Sequence, residues 1–547
     1  MFSLRYQSIT SRWLESLAGI LARVTCGVTL LSLQPLLAEN LPIEERQLVV
    51  EGNQITTAQL FGGEQFWIYF PKYDFSHVVD GSGYGKTPIS QTIENWVDEG
   101  TAAGNVGDVY ENRDNGHSRL NLNQFGELVA VTYAEDLKKQ GIDYGAKFQF
   151  AHHRPAIINA SVAFKGRPFS QSMPRAMLHN PTIGLKLYPL YRLSDFCFYP
   201  EHRDHDKVRG DMFAVNTPYV IISQGSSGSD KAFMEAVAQT LASFHPEVKE
   251  KLHQRGLLAP AVQMIMRWCN VGIGDAQRYL SGQAHPSVFK AANLRPEAMI
   301  EMAHDIAPDT LPPLAMIEMV EEEEAVLGRD FFDPGATEKL LDTPCAIGRV
   351  ARNLGYERRF VVSAEKSMDA NDLPLTYHWQ VLRGDESLIS IQPLDPSGKR
   401  AEITVAYQRE TSVPGNAELR SQRVDIGVFV NNGTYFSPPS FISIWFPPTD
   451  RRFYNDQKRL THVEYQSPLT KNEETDVALT FAKPWSDYYR YDDQGSLLGW
   501  ERRYEDGSRV EQYGPEGMLQ DLQTGDWRIP RYTTTVSRKQ VQNVTVE

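Results

Sequence analysis

From residue 39 to about 215, short apolar runs alternate with polar turns. The runs at 65–70, 107–110 and 156–158 read as buried strands, and Asn159, Asn180-Pro181 and the Gly/Ser tract at 81–85 read as turns. From 216 to 355 the apolar period lengthens. Phe233, Val237, Leu241 and Phe244 recur at helical spacing, with Pro246 ending that helix. Val262, Ile265 and Met266 mark a second helix, and Met299, Ile300, Ala303 and Ile306 a third that begins near Pro296. Thr343-Pro344 reads as an N-cap followed by proline at the first helical position. The acidic run 321–324 reads as a solvated helix face. Strands and helices alternate with no evident linker, so 39–355 is predicted to be one α/β or α+β domain.

The pattern shortens again after 357. Apolar and β-branched runs at 360–362, 375–379, 401–405, 424–430 and 441–446 alternate with turn residues, which predicts a β-sandwich. Trp379 is placed to fill the space between the sheets, and Asn431-Asn-Gly433 supplies a hairpin turn.

Two stretches carry family resemblances. The run Asp369-Ala-Asn-Asp372, followed by Pro374-Leu-Thr-Tyr-His-Trp379, resembles the acidic turn and next strand of a PKD (polycystic kidney disease) repeat. The resemblance extends over 357–447, where Asp425 and Gly433 fit the final strand pair; an insert at 409–422 departs from the pattern. It implies an immunoglobulin-like sandwich on a secreted or cell-surface protein. Further along, Tyr489-Arg-Tyr491-Asp492-Asp-Gln-Gly495-Ser-Leu497 resembles a YD repeat of the Rhs type. Tyr504-Glu-Asp-Gly507 and Tyr513-Gly-Pro-Glu-Gly517 echo it. That resemblance implies a small β-meander over 485–532, reached through a linker at 448–484 and followed by a polar tail, 533–547, expected to fray. The expected architecture is multidomain: an N-terminal α/β or α+β domain that resembles no family, an immunoglobulin-like β-sandwich, and a small C-terminal β-meander.

The N-terminus changes the setting. Arg5, Arg12 and Arg23 precede an apolar run from Val24 to Leu33, and Pro35-Leu-Leu-Ala38 offers a small residue for cleavage. Residues 1–38 therefore read as a signal peptide, and the protein as exported to the periplasm, the cell surface or the medium. No other stretch approaches a membrane span. The 547 residues suit about three to four domains of roughly 100–200 residues each. A net charge of −14 argues against a general nucleic-acid binder. Beyond the signal, Cys197, Cys269 and Cys345 are too few for a disulfide scaffold and suit buried small hydrophobes.

Four clusters carry candidate chemistry. The segment 218–230 runs from a buried strand through Gly225-Ser226-Ser227-Gly228-Ser229 into a helix. Backbone N–H groups there suit an anion or an oxyanion, with Ser227 or Ser226 as nucleophile. The same residues suit a tight turn in which Ser229 or Asp230 caps the helix. The loop 111–118 holds Asn112 and Arg113 as ligand-binding candidates, Asp114 as acid and His117 as base, and it equally suits a hydrogen-bonded turn. His202, His205 and Asp206 are metal-ligand types, and they also suit a solvated charged loop. Asp369, Asn371 and Asp372 are oxygen donors suited to Ca²⁺, which some modules resembling this one bind near that turn; they equally suit Asx hydrogen bonding.

Two functions remain open. In one, the α/β domain binds an extracellular ligand or acts as a serine hydrolase on a polymer or ester; the hydrolase form requires loops 111–118 and 224–230 to meet at one pocket. In the other, a surface, adhesion or carbohydrate-binding protein without catalysis, those loops lie far apart.

Overall fold

The computed structural model describes residues 46–60, 63–68, 75, 84, 86–104, 107–145, 150–152, 154–160, 175, 181–334, 336, 338–466, 480–481, 484–536 and 542–546. The predicted signal at 1–38 lies outside the described residues. Those described form a multidomain, mostly β structure in which a parallel sheet with helices precedes several antiparallel sheets.

The first region is built on a six-stranded parallel sheet. Its spatial order is Gln47–Val50, Leu128–Tyr133, Asp108–Asn112, Ala156–Asn159, Asp195–Pro200, Val220–Ser223. Ala156–Asn159, Asp195–Pro200 and the last strand, Val220–Ser223, are buried along their length, as apolar runs such as Val-Ile-Ile require when both faces are covered. One face is covered by a smaller sheet in which Gly63–Ile68 pairs with Ile55–Leu60 and Phe150–His152; Ile68 and Phe150 pack on Val109, Val129 and Ile158. The other face carries the helices. Phe233, Val237 and Leu241 of helix Lys231–Ser243 bury the predicted face. Pro246 does more than end that helix: it occupies the first turn of the next, Pro246–Gln254, where its missing N–H goes unneeded. Cys197, Cys269 and Cys345 are buried free thiols. Among the described residues no helix is long and apolar enough to cross a membrane.

Next come two antiparallel-rich sheets that share a core. The four-stranded sheet runs Glu318–Glu322, Glu357–Ser363, Arg400–Ala406, Ile389–Pro393. The five-stranded sheet runs Lys339–Thr343, Ala346–Val350, Ser440–Trp445, Arg423–Asn431, Thr376–Arg383. Phe360, Val362 and Ile403 of the first pack on Ile347, Ile426, Val428 and Ile442 of the second. Trp379 packs against this core and donates its indole N–H to the Gly398 carbonyl at 2.8 Å.

Two local expectations are corrected here. Thr343-Pro344 opens no helix but turns a hairpin, because the Thr343 hydroxyl donates to the Ala346 carbonyl at 2.8 Å and pairs with the Tyr219 hydroxyl at 2.6 Å. The 321–324 acidic run is not helical; its first half ends an edge strand, where Arg359 and Arg349 meet Glu321 and Glu322 at 3.1 and 2.7 Å. Charges on an edge strand discourage pairing with another chain.

The five-stranded sheet is buried on both sides. Val424, Ile426 and Val428 face the sandwich core, while Phe429, Phe441 and Trp445 join the core of the α/β region. Between the two regions lies a buried group of four charges. Arg423 forms a bidentate pair with Asp425 at 2.8 and 2.9 Å and donates to the Phe213 carbonyl at 2.6 Å. Arg383 pairs with Asp211, and both arginines reach the Ser287 hydroxyl. Close approach is enforced nearby at Gly282, where a Cβ would fall 1.9 Å from the Leu382 carbonyl oxygen.

The last region is a seven-stranded antiparallel sheet. It begins inside the predicted linker, with Asp450–Tyr454 and Leu460–Tyr465, and continues through Trp485–Tyr491, Leu497–Tyr504 and Val510–Tyr513. Its centre is Arg502, fully buried, paired with Asp487 at 2.7 Å and stacked over Trp485, Phe332 and Tyr513. Within the tail expected to fray, Tyr532–Val536 pairs with Gln542–Val546.

Removing one member of the buried charge group leaves its partners desolvated and unpaired. Arg423→Leu is expected to lower unfolding stability by about 3–5 kcal/mol, read in urea denaturation. Gly282→Ala is expected to cost about 1–3 kcal/mol through forced separation of the two regions, with earlier proteolytic cleavage between them as the readout.

Candidate functional site

Parallel strands deliver their following loops to the carboxyl edge of the sheet. In chain order the strands lie 1-3-2-4-5-6 across the sheet, so the direction of winding reverses between Asp108–Asn112 and Ala156–Asn159. Ligands of open α/β sheets favour the crevice at such a reversal. The ends of these two strands are Asn112 and Asn159. Both donate side-chain N–H groups to the His117 carbonyl, at 2.8 and 3.3 Å. The Asn112 carbonyl oxygen of the side chain also accepts from the Asp114 and Gly116 amides at 3.0 and 3.1 Å. The loop is thus held tightly enough to place Asn115, Gly116 and Ser118 at positive φ, a strained conformation for Ser118.

That loop meets the turn after the last strand. The Gly228 N–H donates to the Ser118 hydroxyl oxygen at 2.7 Å, across 110 residues of sequence. The turn itself is closed by Ser229 N–H to the Ser226 carbonyl at 3.0 Å and by the Ser223–Ser229 hydroxyl pair at 2.7 Å. Gly225, at φ 129°, gives its N–H to Glu201 Oε1 at 2.8 Å. Ser226 and Ser227 are exposed on its outer side. His117 is exposed too, with Nδ1 3.8 Å from Asp114 Oδ2.

Asp230 occupies the N-cap position of helix Lys231–Ser243, yet its side chain makes no capping hydrogen bond. It is buried, and neither carboxylate oxygen meets hydrogen-bond geometry among the described residues. Burial raises its pKa, with the neighbouring Ser118 hydroxyl opposing and Asp114 adding to the rise. Glu201, also buried, is pushed up to about 7 by burial, against the Gly225 and His205 amides that hold it. His202 stands beside Asp204, Asp114 and Asp230, and burial lowers its pKa. The edge is therefore rich in carboxyl groups, and the Gly225 and Gly228 amides that would cradle an anion already have acceptors.

Other candidates are placed elsewhere. Arg113 does not face this edge: it turns inward, donating to Glu111, the Tyr133 hydroxyl at 3.0 Å and the Gly145 carbonyl at 2.9 Å. His205 and Asp206 diverge from His202. The His205 ring is buried near Asp211 and burial lowers its pKa to about 4, while Asp206 accepts the Val208 and Arg209 amides. Asp369 accepts the Asn371 and Leu373 amides with one oxygen and the Asn432 side chain with the other. Asn371 bonds Leu311 and Pro308, and Asp372 sits at φ 56°. Those contacts shape the turn. Among the described residues no group of three or more His, Cys, Asp or Glu side chains is arranged to hold a metal ion.

Beneath the edge lies a charged relay that the sequence reading missed. His152 Nδ1 is 2.9 Å from Asp195 Oδ1 and its Nε2 is 3.3 Å from Glu111 Oε2, with all three buried. Burial alone would lower the histidine pKa; Asp195 and Glu111 outweigh it and hold it at about 9. Burial would raise Glu111, but Arg113 and His152 bring it down to about 2. No local motif announces this group, since its members come from three strands and two sheets. Comparison of the chain with protein-family models and with curated proteins finds no match.

A histidine that binds its proton more tightly when folded stabilises the fold below its unfolded pKa. That stabilisation is lost as pH rises from about 6.5 to about 9. Melting temperature is expected to fall over this interval in the native protein and to flatten in His152→Gln, as read by calorimetry across a pH series.

Proposed function

We propose that this is an exported bacterial protein whose α/β domain binds an uncharged or cationic extracellular ligand at the carboxyl edge of its parallel sheet. The observation that carries the reading is the Ser118–Gly228 contact, which joins the loop 111–118, following a strand at the winding reversal, to the turn 224–230 after the last strand of the sheet. Asp230 and Asp114 place two buried carboxyl groups beside the joined loops, and the Gly225 and Gly228 amides are already donated, which leaves an anion no backbone cradle there. In this reading 357–447 is a PKD-like, immunoglobulin-type sandwich and 488–517 a YD-type hairpin region. Both serve as rigid supports and adhesive surfaces, a role consistent with the buried charges that fasten the sandwich to the α/β domain.

A second reading is a serine hydrolase, with Ser227 or Ser226 as nucleophile, His117 as base and Asp114 as its orienting acid. The 3.8 Å separation of His117 and Asp114 favours it. Against it, the Gly228 N–H that would stabilise an oxyanion is already donated to Ser118.

A fluorophosphonate probe separates the two. With the mature protein, Ser226→Ala and Ser227→Ala, binding without catalysis is expected to give no serine-dependent labelling. Labelling that disappears in one variant, and with His117→Ala, would replace the binding reading with the hydrolase.

A further inference from the structure

The insert at 409–422, which departs from the PKD pattern, has a structural consequence outside the α/β site. It folds as a hairpin of Thr411–Val413 and Asn416–Ser421 and forms one lip of a cleft of about 370 Å³ between the sandwich and the meander. Tyr356, Tyr407 and Tyr454 line the cleft, together with Asp385, Arg409 and Glu410. Small-ligand clefts span about 300–1,000 Å³, so this one suits one or two small rings.

Three features describe what fits. The tyrosines form a splayed aromatic wall: Tyr454 meets Tyr356 at 5.1 Å and 76°, and Tyr407 at 5.6 Å and 48°. The face of an aromatic ring carries partial negative charge and can receive the polarised C–H groups of a ligand; one face of Tyr356 already lies under the Lys458 ammonium at 5.1 Å and one face of Tyr407 under the Arg452 guanidinium at 5.6 Å, so a ligand meets the wall beside those cations. The wall is also held in place. The Tyr454 hydroxyl donates to the Leu354 carbonyl at 3.0 Å, Arg452 donates to the Asn353 and Ala351 carbonyls, and Gln408 clamps the Asp385 backbone at 2.8 and 3.2 Å. Finally, the polar lining offers both donors and acceptors. The charged lining residues are two arginines, Arg409 and Arg452, and two acids, Asp385 and Glu410; Arg452 is buried on backbone carbonyls and Glu410 lies 3.7 Å from Arg420, so the lining presents no net charge, and Arg409 and Glu410 are exposed at its lip.

A ligand with C–H faces, a belt of hydroxyls that both donate and accept, and no net charge is a neutral saccharide. We propose that this cleft is a binding subsite for a neutral sugar unit of an extracellular glycan. It shares no residue with the carboxyl-edge site and does not depend on the reading given for it.

The test uses the full mature chain and saturation-transfer NMR with cellotriose, laminaritriose, maltotriose and chitotriose, beside a uronic-acid trisaccharide. At least one neutral trisaccharide is expected to bind. Tyr356→Ala and Arg409→Ala should each weaken that binding by about ten-fold or more, with melting temperature and fluorophosphonate behaviour unchanged. If Tyr356→Ala fails to fold, Glu410→Gln, at an exposed position, reads the same effect. Binding of none of the neutral sugars, preference for the uronate, or binding that survives both Arg409→Ala and Glu410→Gln would overturn the proposal.

Discussion

Everything downstream of the parallel sheet depends on one buried electrostatic contact, the four-charge group of Asp211, Arg383, Arg423 and Asp425. Two arginines and two aspartates out of water are tolerable only because each charge faces its opposite and the remaining donors find Ser287 and the Phe213 carbonyl. Apolar surface alone could let two sheets slide; paired charges fix one register. In this chain that register sets the five-stranded sheet between two cores. It also lets Gly348 approach Val215 so closely that a Cβ would lie 2.5 Å from its Cγ2.

The same logic recurs at the next junction. Arg452 and Tyr454, on the first meander strand, reach back to backbone carbonyls at 351–354, while Phe332 and Leu354 enter the meander core. Arg502 holds that core through Asp487 and three aromatic faces. A guanidinium suits such a place because it is planar and weakly hydrated, stacking on rings while pairing in plane with a carboxylate. The sandwich is thus clamped on both sides, unlike a bead on a flexible tether.

What the sequence disclosed follows from range. Signals carried by neighbouring residues were legible: the period of Phe233, Val237 and Leu241, the strand at 156–158, the Trp379 strand and the turn at Gly433. Failures came where distant partners decide. Thr343-Pro344 has the local chemistry of a helix start, but Tyr219 and Ala346 convert it to a hairpin. The acidic run at 321–324 lacks apolar alternation because it ends at a sheet edge. At the site, loops 111–118 and 224–230 were readable as polar segments after buried strands, and so were Asp114 and His117. Arg113 looked like a ligand group because nothing in its neighbourhood reveals that Glu111 and Tyr133 would turn it inward. Asp230 read as a helix-cap candidate and Glu201 stood next to His202; only burial distinguishes them from ordinary loop acids.

Burial also explains how the carboxyl edge can hold so many acids. Deeper in the sheet, His152 and Arg113 supply positive charge opposite Glu111 and Asp195, so the relay keeps its own ions paired. Nearer the surface burial raises the Asp230 pKa, against the Ser118 hydroxyl. Carboxyl groups whose pKa burial has raised cluster at sites where something acts on them. The Asp230 carboxyl lies beside Ser118, the residue that joins the two loops, so a ligand donating to it would also engage the contact that closes the site.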